Sequence, residues 1–466
     1  MAITPPRVAI VGAGPAGAFA AACLLRSRGD AAIDLFERLP TPWGLLRGGV
    51  APDHQEIKRL EDTFDQQTLR RGCRFFGNVN VGVDVSHSEL MRHYTAVIYA
   101  TGAQTDKSLG IPGEDLSGSW AASEFVAWYN GHPDYRELDF DLSAERAVVI
   151  GNGNVAADLA RILTRSGSEL ERTDIADHAL EALQRSRIKE VIMVGRRGPA
   201  QAAFTSSELR ELGQLEGVDI QVDPDDLELD PVSRQWLTEE GGFTARKNVD
   251  FLREFSTRPL HPDARRRIQL RFLRSPVEIR GTDRVEAIDV RRNEIMRADD
   301  GSLRARPVDE EVETIECGIV LRSVGYRAVR LPGVPFDERY FVLPNNRGRV
   351  LAHDSETMPG VYAVGWIKRG PTGILGTNKR DAEETVSGLV EDLQAGVLRD
   401  PEAGREQIDA LLAERKPAFV AAEGWRTIHA HELEHGRREQ RPRVKLASHE
   451  DLLAVAQRPV LPALQT

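Results

Sequence analysis

Two glycine clusters, each followed at a distance by charged residues, carry the chemistry that can be read from this chain. Gly12, Gly14 and Gly17 form a Gly-x-Gly-x-x-Gly set, and Glu37 follows about twenty residues on. Gly12 permits a tight turn, Gly14 lets the backbone approach a pyrophosphate, and Gly17 lets a helix lie close to the preceding strand. The helix N-terminus adds partial positive charge, and a carboxylate at Glu37 can accept both ribose hydroxyls of an adenosine. This motif alone leaves NAD and FAD open. The fingerprint recurs at Gly151-Asn152-Gly153-Asn154-Val155-Ala156, where small Ala156 takes the third glycine's place. The next apolar segment, Glu190 to Gly195, ends in Arg196-Arg197 instead of an acid. Paired guanidiniums would meet a 2'-phosphate through charge-assisted, bidentate hydrogen bonds. The second nucleotide therefore reads as NADPH, and the first site, whose acid repels that phosphate, is best filled by FAD.

Positioning these residues needs particular elements. Val8 to Val11 is a short apolar strand running into the first glycine turn, and an alanine-rich helix continues to Leu25. Arg146 to Leu163 repeats the layout, so the spacing predicts an α/β chain with two doubly wound, Rossmann-like domains. Thr95 to Gly102 and Val361 to Gly365 read as further buried strands ending in small-residue turns. The chain is acidic from Glu216 to Glu240 and basic from Arg246 to Arg274. After about Ala395, short amphipathic helices are broken at Pro401, Pro417 and Pro442.

Composition bounds the rest. A chain of 466 residues needs two or three cores. With 29% charged and 41% hydrophobic residues it is globular, and a net charge of -11 argues against nucleic-acid binding. Three separated cysteines, Cys23, Cys73 and Cys317, build neither a four-thiolate iron-sulfur cluster nor a close redox pair, and they suit a reducing, cytoplasmic setting. The apolar run from Val8 to Leu25 imitates a signal peptide, but its three glycines and a proline suit strand, turn and helix. No membrane span is expected.

Further segments extend the pattern: Pro40-Thr41-Pro42-Trp43-Gly44-Leu45-Leu46-Arg47 through His54, Ile111-Pro112-Gly113-Glu114-Asp115, Gly195-Arg196-Arg197-Gly198-Pro199 and Gly365-Trp366-Ile367-Lys368-Arg369-Gly370-Pro371-Thr372-Gly373. Together with the fingerprints, they resemble the adrenodoxin-reductase-like ferredoxin-NADP reductases, the actinobacterial type above all, over nearly the whole chain. The resemblance implies a glutathione-reductase-like topology, with an FAD domain from residues 1–106 and 332–466 and an NADP domain inserted at 107–331. It implies FAD contacts from Ala16, Glu37, Leu45, Val81, Trp366, Gly373, Ile374 and Leu375. NADPH contacts would come from Lys107, Asn152, Gly153, Asn154, Val155, Arg196, Arg197, Glu208 and Gly373. His54 and Glu211 would be the polar catalytic pair near the nicotinamide. Electrons would pass from NADPH through FAD to ferredoxin, an acidic iron-sulfur protein, which the basic run Arg246 to Arg274 is expected to dock.

Two other readings stay open: an NADPH-dependent flavin reductase acting on quinones or small molecules, and an electron-input subunit of a larger complex. His431-Glu432-Leu433-Glu434-His435 spells the His-Glu-x-x-His of zinc peptidases, but it lacks a third ligand in context, and no metal site is expected.

Overall fold

The computed structural model describes residues 5–458, leaving aside the side chains of residues 309 and 310. β1 (Arg7–Val11) enters the first glycine turn and α1 (Pro15–Ser27), and β2 (Ala32–Phe36), β3 (Arg74–Phe76) and β4 (Ala96–Tyr99) follow. Pro15 suits the first turn of α1, where its missing N–H would have been unpaired in any case. All of β4 is buried, as are the last four residues of β1 and of β2, the pattern of a parallel sheet covered on both faces.

Next come β5 (Ser119–Ala121), β6 (Arg146–Ile150), α2 (Asn154–Thr164), β7 (Glu190–Val194), α3 (Ser206–Leu212), β8 (Val218–Val222), α4 (Gly242–Thr257) and β9 (Arg266–Arg271). An antiparallel ribbon, β10 (Arg274–Arg280), β11 (Ala287–Arg297) and β12 (Leu303–Glu316), precedes β13 (Ile319–Arg322). The last stretch holds β14 (Asn345–Asn346), β15 (Arg349–Leu351), β16 (Thr357–Ala363), α5 (Leu375–Gln394) and α6 (Ala422–Glu439).

Two doubly wound sheets result, as the repeated strand-turn-helix pattern predicts. One has the order β14-β15-β16-β4-β1-β2-β3, parallel from β16 onward. The other, β5-β13-β6-β7-β9-β8, is parallel throughout. The tail forms helices at Arg405–Arg415, α6 and His449–Ala456, between the expected proline breaks. Among the described residues no helix is long and apolar enough to cross a membrane.

The chain divides into two compact units. The first runs through Thr105, takes in Asn130–Arg136 and resumes at Tyr326; the second comprises Asp106–Tyr129 and Glu137–Gly325. These borders differ from the expected 107–331 insertion chiefly in the Asn130–Arg136 excursion. Asn130 Oδ1 accepts from Lys58 Nζ at 2.9 Å and Lys445 Nζ at 3.0 Å, while Asp134 accepts from Arg38 and His449, each at 2.6 Å. Such ties link residues far apart in the chain, and no local periodicity announces them. The outermost residues of the expected first domain, 1–4 and 459–466, lie outside the described residues.

Candidate dinucleotide sites

The two glycine turns are built alike. In the first, register pairs Val11 with Phe36, and the Gly12 N–H donates to the Phe36 carbonyl at 2.8 Å. In the second, Ile150 pairs with Val194, and the Gly151 N–H donates to the Val194 carbonyl at 2.8 Å. Both glycines take positive φ, +105° and +142°. A Cβ would stand 2.5 Å from the Ala100 carbonyl oxygen in the first and 2.3 Å from that of Ser323 in the second, so neither position admits a side chain.

Gly17 and Gly14 serve different ends. A Cβ on Gly17 would lie 2.0 Å from the Gly12 carbonyl oxygen, so its bareness lets α1 close on the turn. On Gly14 the nearest atom would be 3.8 Å away, leaving an open backbone face at a helix N-terminus with no side-chain cap. Glu37 follows β2 directly and accepts from the Ala13 N–H at 3.0 Å and the Leu39 N–H at 3.1 Å. Burial pushes its carboxyl up from the ordinary range, against the pull of those two donors.

Around this turn the structure gathers most of the expected flavin-side residues. A Cβ on Gly365, at φ +76°, would stand 2.5 Å from the Cβ of Ala16, so the segment before Trp366 abuts the start of α1. Trp366 packs on Tyr326 with ring centroids 5.4 Å apart. Gly373 at φ +83° and Ile374 lead into α5, which packs along α1 and begins at Leu375. Val81 is buried, whereas Leu45 and Ile374 are 40% and 65% exposed, an apolar surface available to a ligand. Sequence reading missed what fixes the Trp366 to Gly373 loop. Lys368 pairs with Glu384 at 2.6 Å, and Arg369 bonds Asp381 and, at 2.9 Å, Asn378.

In the second unit the position matching Glu37 is Gly195, not Arg196. A Cβ on Gly195 would coincide with the Asn152 side-chain amide, which occupies that corner instead. Asn152 Oδ1 is buried there with no hydrogen-bond partner among the described residues. Arg196 and Arg197 come one and two residues later, both exposed and without an ion pair among the described residues. Partial burial and then the charge of Arg196 hold the Arg197 guanidinium below its usual pKa, which a nearby dianion would reverse. Gly153 bridges to Ala203, and Asn154 Oδ1 accepts the Thr205 N–H at 2.8 Å. Val155 continues the first turn of α2, and exposed Lys107 is held in the same unit by its N–H to the Gly325 carbonyl at 2.9 Å.

Glu208 and Glu211 lie together on α3, and both face Arg161 of α2, which sequence reading did not single out. An arginine in an otherwise apolar helix face was the available signal. His54 belongs to the first unit, where it caps the short helix Gln55–Lys58.

The two remaining motifs are changed by their neighbours. Of the basic run, Arg258 pairs with Glu254, Arg267 with Glu190, Arg271 with Glu313 and Arg274 with Asp226, while Arg266 bonds backbone carbonyls. Arg246, Lys247 and Arg265 make no ion pair among the described residues, and Lys247 lies over the rings of Phe243 and Phe251. Glu432 of the His-Glu-x-x-His sequence is wholly buried. It binds Arg47 at 2.5 and 2.8 Å, Arg443 at 3.4 Å and the Leu446 N–H at 2.9 Å. That carboxylate is committed to the fold and is no base for a metal-bound water.

Comparison with known proteins accords with this geometry. Residues 6–197 match the family model for pyridine nucleotide-disulphide oxidoreductases. The chain is 48% identical to the NADPH-ferredoxin reductase FprA of Mycobacterium tuberculosis over 97% of its own length and 99% of that protein. It is 42% identical to the mitochondrial NADPH:adrenodoxin oxidoreductase of Arabidopsis thaliana, over 97% and 95%. The structure of Mycobacterium tuberculosis FprA in complex with NADPH superimposes with a TM-score of 0.92 at 46% identity, covering 97% of this chain and 100% of that one.

Proposed function

The chain belongs to the family of NADPH-ferredoxin reductases, and from that premise we infer that its first unit holds FAD and its second holds NADPH. The protein is an FAD-dependent oxidoreductase that passes electrons from NADPH to a ferredoxin-type carrier. The readings as a quinone reductase or as an input subunit are not favoured, because relatives matched from end to end are named for ferredoxin or adrenodoxin. Bound flavin supplies the conversion between a two-electron hydride donor and a one-electron acceptor.

The protein's own part is to hold and orient. Supporting the first assignment, Gly14 leaves an open face, Glu37 keeps both oxygens near the turn, and Leu45 and Ile374 offer apolar contact. We assign Ala16, Val81, Trp366, Gly373 and Leu375 to the same cofactor. For NADPH, the observation that carries the reading is a pair of guanidiniums without carboxylate partners beside an orphaned Asn152 oxygen. Lys107, Gly153, Asn154, Val155 and Glu208 would complete that grip, and His54 and Glu211 would be the polar pair serving hydride transfer. The carrier would dock on the basic run Arg246 to Arg274, of which Arg246, Lys247 and Arg265 are among those that make no ion pair among the described residues.

Purified protein is expected to carry FAD and to reduce ferredoxin with NADPH far better than with NADH. A colourless protein that takes up no FAD, or one indifferent to the 2'-phosphate, would overturn the assignment. At subsaturating ferredoxin, the rate should fall as salt rises, and insensitivity to ionic strength would remove the docking surface.

A further inference from the structure

Arg161 has no exposed surface at all, and a guanidinium so buried must be matched by charge and hydrogen bonds. Carboxylates of the same unit meet it: Asp158 on its own helix at 2.6 Å, Glu208 at 3.1 Å and Glu211 at 3.6 Å. One would balance the charge. The other two come from α3, and their side chains stay 12% and 43% exposed, so each keeps a face toward solvent. A second tie joins the same helices, because Asn154 at the start of α2 accepts the N–H of Thr205, the residue capping α3. The helix that opens the second nucleotide turn thus pins α3 twice, at its cap and along its acidic face.

We propose that Arg161 is a positioning residue for NADPH, holding Glu208 and Glu211 in the place where the bound dinucleotide meets them. The proposal rests on the reading that Glu208 and Glu211 serve the NADPH site. Without the guanidinium, neighbouring carboxylates repel one another and swing toward water, and the ligand must order them at its own cost. A lysine brings one point charge where the planar fork reaches several oxygens, so it replaces only part of the hold.

The test is calorimetric titration of the flavin-loaded protein with NADP+ and with adenosine 2',5'-bisphosphate, which carries the 2'-phosphate and no nicotinamide. Arg161→Met should weaken NADP+ by about tenfold or more, and Arg161→Lys by a smaller factor, while the bisphosphate stays within about twofold of wild type. Equal weakening of both ligands would mean that Arg161 only supports the fold, and unchanged NADP+ affinity would mean that it positions nothing; either overturns the proposal. If R161M does not accumulate as folded protein, R161K decides alone, since it must still lose NADP+ selectively. Wild-type protein that bound neither ligand would refute the NADPH assignment itself, a separate failure.

Discussion

Gly14 and Gly17 belong to one fingerprint, yet the geometry predicts opposite consequences for adding a single methyl to each. In Gly17→Ala the new carbon would stand 2.0 Å from the Gly12 carbonyl oxygen, 3.2 Å from its carbon and 3.3 Å from Ile10 Cγ2. The first two are backbone atoms in a turn fixed on β1, so relief requires α1 to retreat by roughly an ångström, the shortfall from ordinary van der Waals contact. That retreat loosens Ala18, Ala20, Ala21 and Leu24, all fully buried. Overpacking of this kind costs about 1–3 kcal/mol, and at roughly 2–4 °C per kcal/mol for a unit of this size, Tm should fall clearly. In Gly14→Ala the nearest neighbour is 3.8 Å away, so the apoprotein should melt like wild type. Its methyl instead covers the backbone face left for a pyrophosphate, and FAD should dissociate more readily. Calorimetry of deflavinated proteins, with flavin retention read from visible absorbance after gel filtration, separates the two effects. A Gly14→Ala protein that melts as low as Gly17→Ala, or that keeps its flavin as tightly as wild type, would refute the division of roles.

Other substitutions test other links. Arg196→Ala and Arg197→Ala should each raise KM for NADPH by about tenfold or more, from charge-assisted bonds of about 1.5–3 kcal/mol, and leave NADH kinetics alone; equal effects on both coenzymes would count against a phosphate reader. Glu432→Gln should cost about 3–5 kcal/mol in denaturant titration, because Arg47 and Arg443 lose a buried counter-charge, whereas chelator treatment of the wild type should change nothing. Burial pushes Asp106 up to about 6, against the lowering pull of its bonds from Ser123. A raised carboxyl favours the folded state below the ordinary aspartate range and loses that advantage as pH rises through about 6. Asp106→Asn, which still accepts from Ser123, should therefore flatten the stability profile between about pH 4 and 6 and gain up to about 3 kcal/mol above it. An unchanged slope would show that Asp106 ionises freely.

What could be read in advance was local. Gly12, Gly17, Gly151 and Glu37 follow from spacing within one strand-turn-helix unit, and the register of neighbouring strands bears out the turns. Gly195 was legible only as the end of a strand, because its role depends on the Asn152 amide lying over it, a fact of packing. Arg47 and Glu432 are 385 residues apart, so no window along the chain unites them, and setting aside the His-Glu-x-x-His pattern as a metal site left Glu432 without a role. The basic run also depends on packing that its sequence does not show. Nine cations close together in sequence read as one surface, but strands and helices turn several of them toward different acids, and Arg246, Lys247, Arg265 and Arg266 make no ion pair among the described residues.

The first unit is assembled from both flanks of the second, and this fixes an order of events during translation. A ribosome releases the whole of Asp106–Gly325, with its own six-stranded sheet, while β4 still lacks its β16 neighbour. Arg47 waits longer still, for Glu432 to emerge. Newly made chains should thus gain the ability to retain nicotinamide nucleotide well before they can turn yellow.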